Sequence, residues 1–299
     1  MIAHHSVRTD VDLAALTTYK VGGPARYYIE PDGLEELRSV LEVTPGGMPV
    51  VVLGRGSNVV ISDEGVDGLV VRLGKGFAGI EVAPDGRVRA GGGAPLPVLA
   101  RTATAAGRTG LEFYVGIPGS VGGAVMMNAG GHGSDTAAVL VDAVVLSVVT
   151  REITVRPVDT LGLRYRHSDL TDDDVVVRAT FATEEGDPDV GEQELRDITR
   201  WRKEHQPGGT LNAGSVFKNP EHEPAGAIVD RLGLKGTSIG PVSVSDVHAN
   251  FMVATKDATA SDIFRFVHEI RATVADRTGI ELEPEIRFIG AFEDVGVAT

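Results

Sequence analysis

Gly116-Ile117-Pro118-Gly119-Ser120-Val121-Gly122-Gly123-Ala124 is the stretch on which the reading of this chain turns. Four of its nine residues are glycine, so little side chain is available for packing. Ordering so much glycine costs backbone entropy that something else must return. The stiff, apolar Ile117, Pro118 and Val121 argue against a flexible surface loop. A pyrophosphate lying against bare backbone is the ligand such a segment suits. Further glycine clusters stand at Gly22-Gly23, Gly54–Gly56 and Gly91–Gly93. Glycine makes up 38 of 299 residues, about twice its usual ~7%. The clusters have no period, which excludes collagen and solenoid repeats.

Leu53-Gly54-Arg55-Gly56-Ser57-Asn58 comes after an apolar strand, Pro49 to Leu53. Its backbone N–H groups, with Ser57 and Asn58 as side-chain donors, could curl around an anion. Alone, it reads equally well as a turn between strands. Gly74-Lys75-Gly76-Phe77-Ala78-Gly79 matches the dinucleotide fingerprint letter for letter. That fingerprint needs a helix after it, and here a strand and a Pro84-Asp85-Gly86 turn come next, so it reads as a glycine-rich connection.

Composition narrows the classes. At 299 residues the chain has room for about two domains. Hydrophobic residues make up 42% of it, enough for a real core. A net charge of −14 argues against nucleic-acid binding by bulk charge, while a few local Arg and Lys can still hold a phosphate. With no cysteine, disulfides, thiolate nucleophiles and Cys-ligated metal centres are excluded. The eight histidines show no metal-ligand spacing. No signal-type or membrane-spanning apolar run occurs, which points to a cytoplasmic protein with no membrane partner. His4 and His5 are expected to be disordered.

Short β-rich runs separate the clusters: Arg26 to Glu30, Pro49 to Leu53, Leu69 to Leu73, Gly79 to Ala83, Arg87 to Ala90, Val139 to Val149 and Val175 to Thr183. Helices are expected at Asp32 to Val43, opened by an Asp32/Glu35 capping box, and at Leu96 to Ala106. The acidic connector Glu184 to Pro188 marks a boundary near 187. Beyond it come a polar helix over Val190 to Lys203, a helix near Pro224 to Leu232, a strand at Asn250 to Thr255, and a long helix capped by Thr259 and Asp262. Ile263, Phe266, Val267, Ile270 and Val274 share one face of that last helix. The fold class is α+β, with a large glycine-rich unit over 1–187 and a smaller α+β unit over 188–299.

Three further segments carry candidate chemistry. Tyr165-Arg166-His167-Ser168 reads by itself as surface or interface. In Asn212-Ala213-Gly214-Ser215-Val216-Phe217-Lys218-Asn219-Pro220, small residues surround a hydroxyl that could be a positioned proton donor. Strand alternation would put Glu285 and Arg287 on one face, and alone they read as a solvated edge. His248 reads as a structural hydrogen-bonding residue.

Together these segments resemble the UDP-N-acetylenolpyruvoylglucosamine reductase family, flavoenzymes of bacterial peptidoglycan synthesis. The resemblance rests on Thr17 to Gly23, Gly54 to Asn58, Gly116 to Gly123 with Asn128, Tyr165-Arg166, Asn212 to Pro220, Ala249 to Phe251 and Pro284 to Gly290, all in the family's order. It implies a two-lobed FAD-binding domain of the vanillyl-alcohol-oxidase type over 1–187, split near 75, and a substrate-binding domain over 188–299. It implies non-covalent FAD held by Gly54, Arg55, Gly56, Ser57, Asn58, Gly116, Pro118, Gly119, Ser120, Gly122, Gly123 and Asn128. It makes Arg166, Ser215 and Glu285 catalytic, and gives Tyr165, Lys203, Asn219 and His248 to the substrate. UDP-N-acetylglucosamine enolpyruvate and NADPH are the implied partners of a monomeric enzyme. The chain departs from the family's usual Asn-Ala-Gly-Ala-Tyr-Gly at Gly131 and His132, and from its usual Asn at Ala254. The short connector from Arg166 to Lys203 places it in the subgroup that lacks a tyrosine-bearing substrate loop. The rival readings are another FAD-dependent oxidase of the same superfamily and a non-catalytic nucleotide-sugar binder.

Overall fold

The computed structural model describes residue 2 and residues 4–293. The chain divides into two compact units. One comprises residues 1–9, 27–55 and 68–202, and the other residues 10–26, 56–67 and 203–299.

The first unit is organised by a five-stranded antiparallel sheet in the order Ile153–Pro157, Leu140–Ser147, Asp174–Phe181, Val88–Gly91, Ile80–Val82. Ala179 stands opposite Ala143 on one side and Ala90 on the other. The central strands are apolar at nearly every position because both faces are covered. Ala143, Val145, Val176 and Ala179 point into one cluster with Leu96, Leu99, Tyr114 and Val121. Val144, Leu146, Val175 and Val177 point into a second with Leu37, Val40, Leu69 and Val71. Period-two alternation, shifted by one residue at the irregularity opposite Val144/Val145, thus serves two cores. Leu69–Val71 pair in parallel with Val50–Val52.

In the second unit, Val242–Val244 lies between Ser238–Ile239 and Met252–Ala254. Helix Ala260–Thr278 buries Ile263, Phe266, Val267, Ile270 and Val274, the face expected from the spacing. Val59–Ile61 pairs in parallel with Arg287–Ile289. Tyr19 is fully buried here and donates its hydroxyl to the Met252 carbonyl at 2.9 Å.

Several expectations need correction. The helix expected from Val190 spans Pro188–His205 and buries Leu195 and Ile198 in the first unit's core. The units therefore part at Arg202/Lys203, not at 187. No Asp32/Glu35 capping box forms: the helix is Leu34–Val43, its N-cap is Gly33, and the Asp32 N–H donates to Glu36 at 2.9 Å. The end of the Gly116–Ala124 stretch is the start of a helix, Val121–Met127. The final strand begins at Arg287, after a bend at Ile286, so strand alternation does not reach Glu285. His4 is placed against Ser39 at 3.1 Å and stacks on His5.

Thr259 and Asp262 do form a capping box on the long helix. Asp63, far off in sequence, adds to it by accepting the N–H groups of Ala260 at 2.8 Å and Ser261 at 2.9 Å. Asp63→Ala is therefore expected to cost about 1–2 kcal/mol, the range of a lost charged cap, as read by urea unfolding. An unchanged midpoint would show that Thr259 and Asp262 suffice.

Candidate functional site

In the first unit the Gly116–Gly123 stretch is fastened to residues 92–96. Leu96 donates to the Gly119 carbonyl at 3.0 Å, Val121 to Ala94 at 2.9 Å and Gly122 to Gly92 at 2.8 Å. A Cβ at Gly122 would lie 3.1 Å from the Gly92 oxygen and 3.3 Å from that of Val176. A side chain at Gly122 would therefore require the chain's own carbonyls to give by a few tenths of an ångström. Gly116 is similar: a Cβ there would meet His132 Nε2 at 3.0 Å and Ile198 Cγ2 at 3.2 Å.

Gly54 and Gly123 are different, since both are exposed. A Cβ on Gly54 would come within 2.7 Å of Ser120 Oγ, and one on Gly123 would lie 3.6 Å from it. Ser120 is buried, yet its side chain makes no cap bond to the helix it precedes. Bare backbone from distant parts of the chain thus surrounds one uncommitted hydroxyl. That arrangement fits a phosphate-bearing cofactor, whose oxygens accept from a hydroxyl and approach main chain closely. Arg55 is exposed beside Gly54, and Pro118 is exposed within the stretch.

Arg202 braces the glycine-rich stretch in a way the sequence hides, because there it is one more charge on a polar helix. Its guanidinium donates to the Gly116 carbonyl, and burial lowers its pKa from the ordinary arginine value. Next to it Trp201 meets the His132 ring edge-on at 5.1 Å. Burial first, then the Arg202 charge, lowers the His132 pKa and favours neutral imidazole.

Tyr165 and Arg166 occupy the tip of a tight turn, with Arg164 and His167 exchanging backbone bonds of 3.1 and 3.0 Å across it. Arg166 has φ +51°, the left-handed region. Its guanidinium donates to the Gly130 carbonyl at 3.0 Å and lies 5.2 Å over the Tyr165 ring. Asn128, also left-handed at φ +40°, is buried. Its Nδ2 donates to Asp135 at 3.1 Å and to the Arg164 carbonyl at 3.0 Å, while Oδ1 accepts the Ala137 N–H at 2.8 Å. The Asn128 amide is thus spent on holding the turn that presents Arg166.

In the second unit Gly56 is buried at φ +65°, where a Cβ would strike the Leu16 carbonyl at 2.0 Å. Its own carbonyl accepts the Thr18 N–H at 3.0 Å, which explains why the Thr17 to Gly23 motif accompanies this loop. Ser57 is half-buried. Asn58 donates from Nδ2 to the Glu285 carbonyl at 3.1 Å, and its own carbonyl accepts the Arg287 N–H at 3.0 Å. Ser215 is half-buried and bridges to Phe251. Glu285 donates its N–H to the Val216 carbonyl at 2.7 Å. Ser215 and Glu285 thus sit on adjoining extended segments. Asn219 accepts the Ala225 N–H at 3.0 Å. His248 accepts the Asn250 N–H on Nδ1 at 3.2 Å, so the neutral ring carries its proton on Nε2. Burial lowers its pKa, opposed in part by a backbone hydrogen bond that raises it, with the Lys235 charge adding a smaller lowering. Lys203 is exposed on the Pro188–His205 helix. Among the described residues no group of three His, Asp or Glu could hold a metal ion.

Residues 206–289 match the family model for the C-terminal domain of UDP-N-acetylenolpyruvoylglucosamine reductase, and residues 25–152 match that of an FAD-binding domain. A relative of the same name from Erythrobacter litoralis is 42% identical, over 93% of this chain and 86% of its own. The chain belongs to the UDP-N-acetylenolpyruvoylglucosamine reductase family. Another relative, from Rubrobacter xylanophilus, is 41% identical over 95% of this chain and 96% of its own. The crystal structure of the Thermus caldophilus UDP-N-acetylenolpyruvylglucosamine reductase superposes with a TM-score of 0.82 at 34% identity, covering 95% of this chain and all of that one. The α+β class and the FAD-binding domain expected from the resemblance are those of the family.

Left-handed backbone costs a residue with a Cβ about 1–2 kcal/mol, and a β-branched residue fares worst there. Arg166→Val should therefore be less stable than Arg166→Gly by about that amount, as measured by thermal unfolding. Equal stability of the two variants would mean that the turn relaxes and carries no strain.

Proposed function

We propose that the protein reduces UDP-N-acetylenolpyruvoylglucosamine to UDP-N-acetylmuramate in peptidoglycan precursor synthesis, with NADPH as electron donor and FAD as a non-covalent cofactor. The observation that carries this reading is the pairing of the Ser215 and Glu285 segments, both within the stretch matched by the reductase C-terminal model. FAD binding is assigned to the glycine-rich chain ahead of the Arg202/Lys203 break, with lobes divided near 75, and substrate binding to the chain beyond it. The enzyme is placed in the cytoplasm as a monomer without membrane partners. Among the described residues no helix is long and apolar enough to cross a membrane.

The FAD pyrophosphate is assigned to the cradle of Gly54, Ser120 and Gly123, with Arg55, Pro118 and Gly119 beside it. Gly116 and Gly122 support that cradle and Asn128 the Arg166 turn through their backbone and amide contacts, while Gly56 holds its own loop against Leu16 and Thr18 in the second unit. When bound, FAD supplies the hydride that adds to the terminal methylene carbon of the enolpyruvyl group. The π pair of the double bond then moves toward the α-carbon and its carboxylate. Arg166, a fixed cation, stabilises that charge as it develops. Ser215 gives its hydroxyl proton to the α-carbon, completing a lactyl ether, and recovers a proton from solvent. Glu285 acts as a protonated donor to the substrate carboxylate, which keeps an unpaired anion away from the developing charge. Tyr165, Lys203, Asn219 and His248 bind the substrate, His248 through its Nε2–H.

Loss of a positioned acid should appear only in the second half of the cycle. Ser215→Ala is expected to retain FAD and to be reduced normally by NADPH. Its reoxidation by the enolpyruvyl substrate should slow by at least ~10²-fold in anaerobic stopped-flow. An unaffected oxidative half would remove Ser215 from the mechanism.

The two kinds of glycine are separable. Gly123→Leu lies at an exposed helical position, so the apoprotein should melt no lower than wild type, while the flavin-to-protein absorbance ratio falls. Gly122→Leu should lower the melting temperature of the apoprotein itself, because the clash is with the chain's own carbonyls. Full flavin occupancy in Gly123→Leu would refute the cradle. Flavin that stays with acid-precipitated protein would point instead to a tethered oxidase.

A further inference from the structure

Ala249-Asn250-Phe251 belongs to the family pattern, yet the proposed mechanism gives Asn250 nothing to do. Its side chain is buried, 3% exposed. Oδ1 accepts the Phe217 N–H at 2.9 Å, and Nδ2 donates to the Phe217 carbonyl at 2.8 Å. One carboxamide thus satisfies both polar groups of one residue, as a residue on a neighbouring antiparallel strand would. The Asn250 carbonyl also accepts the Val216 N–H at 2.8 Å. On the opposite edge Glu285 donates to the Val216 carbonyl at 2.7 Å, and Lys218 donates to the Glu283 carbonyl at 2.9 Å. Val216 and Phe217 are gripped from both sides, and Ser215 is the next residue along.

We infer that Asn250 is a positioning residue for proton delivery: by clamping the Phe217 backbone it sets the register of the Ser215 segment against the Glu285 segment. The inference rests on the reading of Ser215 as proton donor. A buried amide cannot lose one end without leaving a main-chain group unpaired. Asn250→Asp keeps the shape and still accepts the Phe217 N–H, but when ionised it sets an oxygen against the Phe217 carbonyl. When protonated, its O–H restores the missing donor. Asn250→Ala offers neither end at any pH. The titratable side chains on the adjoining segments (His248, Lys218, Glu283 and Glu285) are common to wild type and both variants.

The test uses full-length, FAD-loaded wild type, Asn250→Asp, Asn250→Ala and Ser215→Ala. Reoxidation by the enolpyruvyl substrate is followed anaerobically from pH 8 to pH 5.5. Misplacing a reacting group by a fraction of an ångström costs up to about 10²-fold, so Asn250→Asp is expected to be about 10- to 100-fold slow at pH 8. It should regain rate relative to wild type as pH falls, with a solvent deuterium isotope effect larger than wild type at pH 8. Asn250→Ala should stay slow throughout, or the aspartate variant alone decides if it fails to fold. Amide exchange of the peptide carrying Phe217 should be faster than wild type at pH 8 and return toward it on acidification in the aspartate variant only. A pH-independent ratio to wild type, or equal slowing of flavin reduction by NADPH, would overturn the inference. Slow Ser215→Ala with unaffected Asn250 variants overturns this inference alone, whereas an unaffected Ser215→Ala overturns the donor reading beneath it.

Discussion

Main chain packed against main chain, closer than any Cβ permits, is the constraint on which the first unit depends. A Cβ at Gly92 would lie 1.8 Å from the Val176 carbonyl, and one at Gly91 would lie 2.0 Å from that of Phe77. Gly92 donates to Val177 and accepts from Gly122, so one residue joins the central sheet directly to the Gly116–Gly123 stretch, beside the bonds of Ala94 and Leu96. The later parts of the chain inherit that placement: Ser120 against Gly54, then the helix Val121–Met127, then Asn128 and the turn that presents Arg166. Here the absence of side chains positions the chemistry, and most of the glycine is used before any ligand arrives.

Amides do the complementary work. Asn58, Asn128 and Asn250 each tie down the backbone of a residue at or near a position proposed as catalytic. Only a group that both donates and accepts can satisfy a peptide's two polar ends at once without introducing charge. Asn128 serves the Arg166 turn, while Asn58 and Asn250 serve the Glu285 and Ser215 segments. Arg166, Ser215 and Glu285, the residues proposed to react, are themselves half-buried.

Much of this is legible in the sequence because it is local. The central strands show as β-branched runs, the last helix as a 3.6-residue stripe with its Thr259/Asp262 box, and the glycine clusters as composition. The order of weak motifs points to the family. The features hidden from the sequence are non-local. Asn58 acts on a residue 227 positions away and Asn250 on one 33 away, and nothing beside either amide names its partner. Gly122 and Gly123 are the same letter side by side, but one faces the sheet and the other solvent. Asp32 and Glu35 have cap spacing, yet Gly33 takes the position because Asp32 donates its own N–H to Glu36.

The second unit is assembled from three separated pieces of chain, the last of them residues 203–299. Val59–Ile61 pairs with Arg287–Ile289, and Tyr19 is buried beneath Met252. On the ribosome these early pieces emerge first and must wait, at about 5–20 residues per second, for roughly ten seconds or more. Throughout that interval an apolar strand edge and a large aromatic lack their native cover. The first unit is supplied by residue 202 and can begin its own collapse sooner. Synthesis therefore imposes an order of folding, and the half that carries Ser215 and Glu285 comes last, with chaperone demand concentrated on residues 10–26 and 56–67.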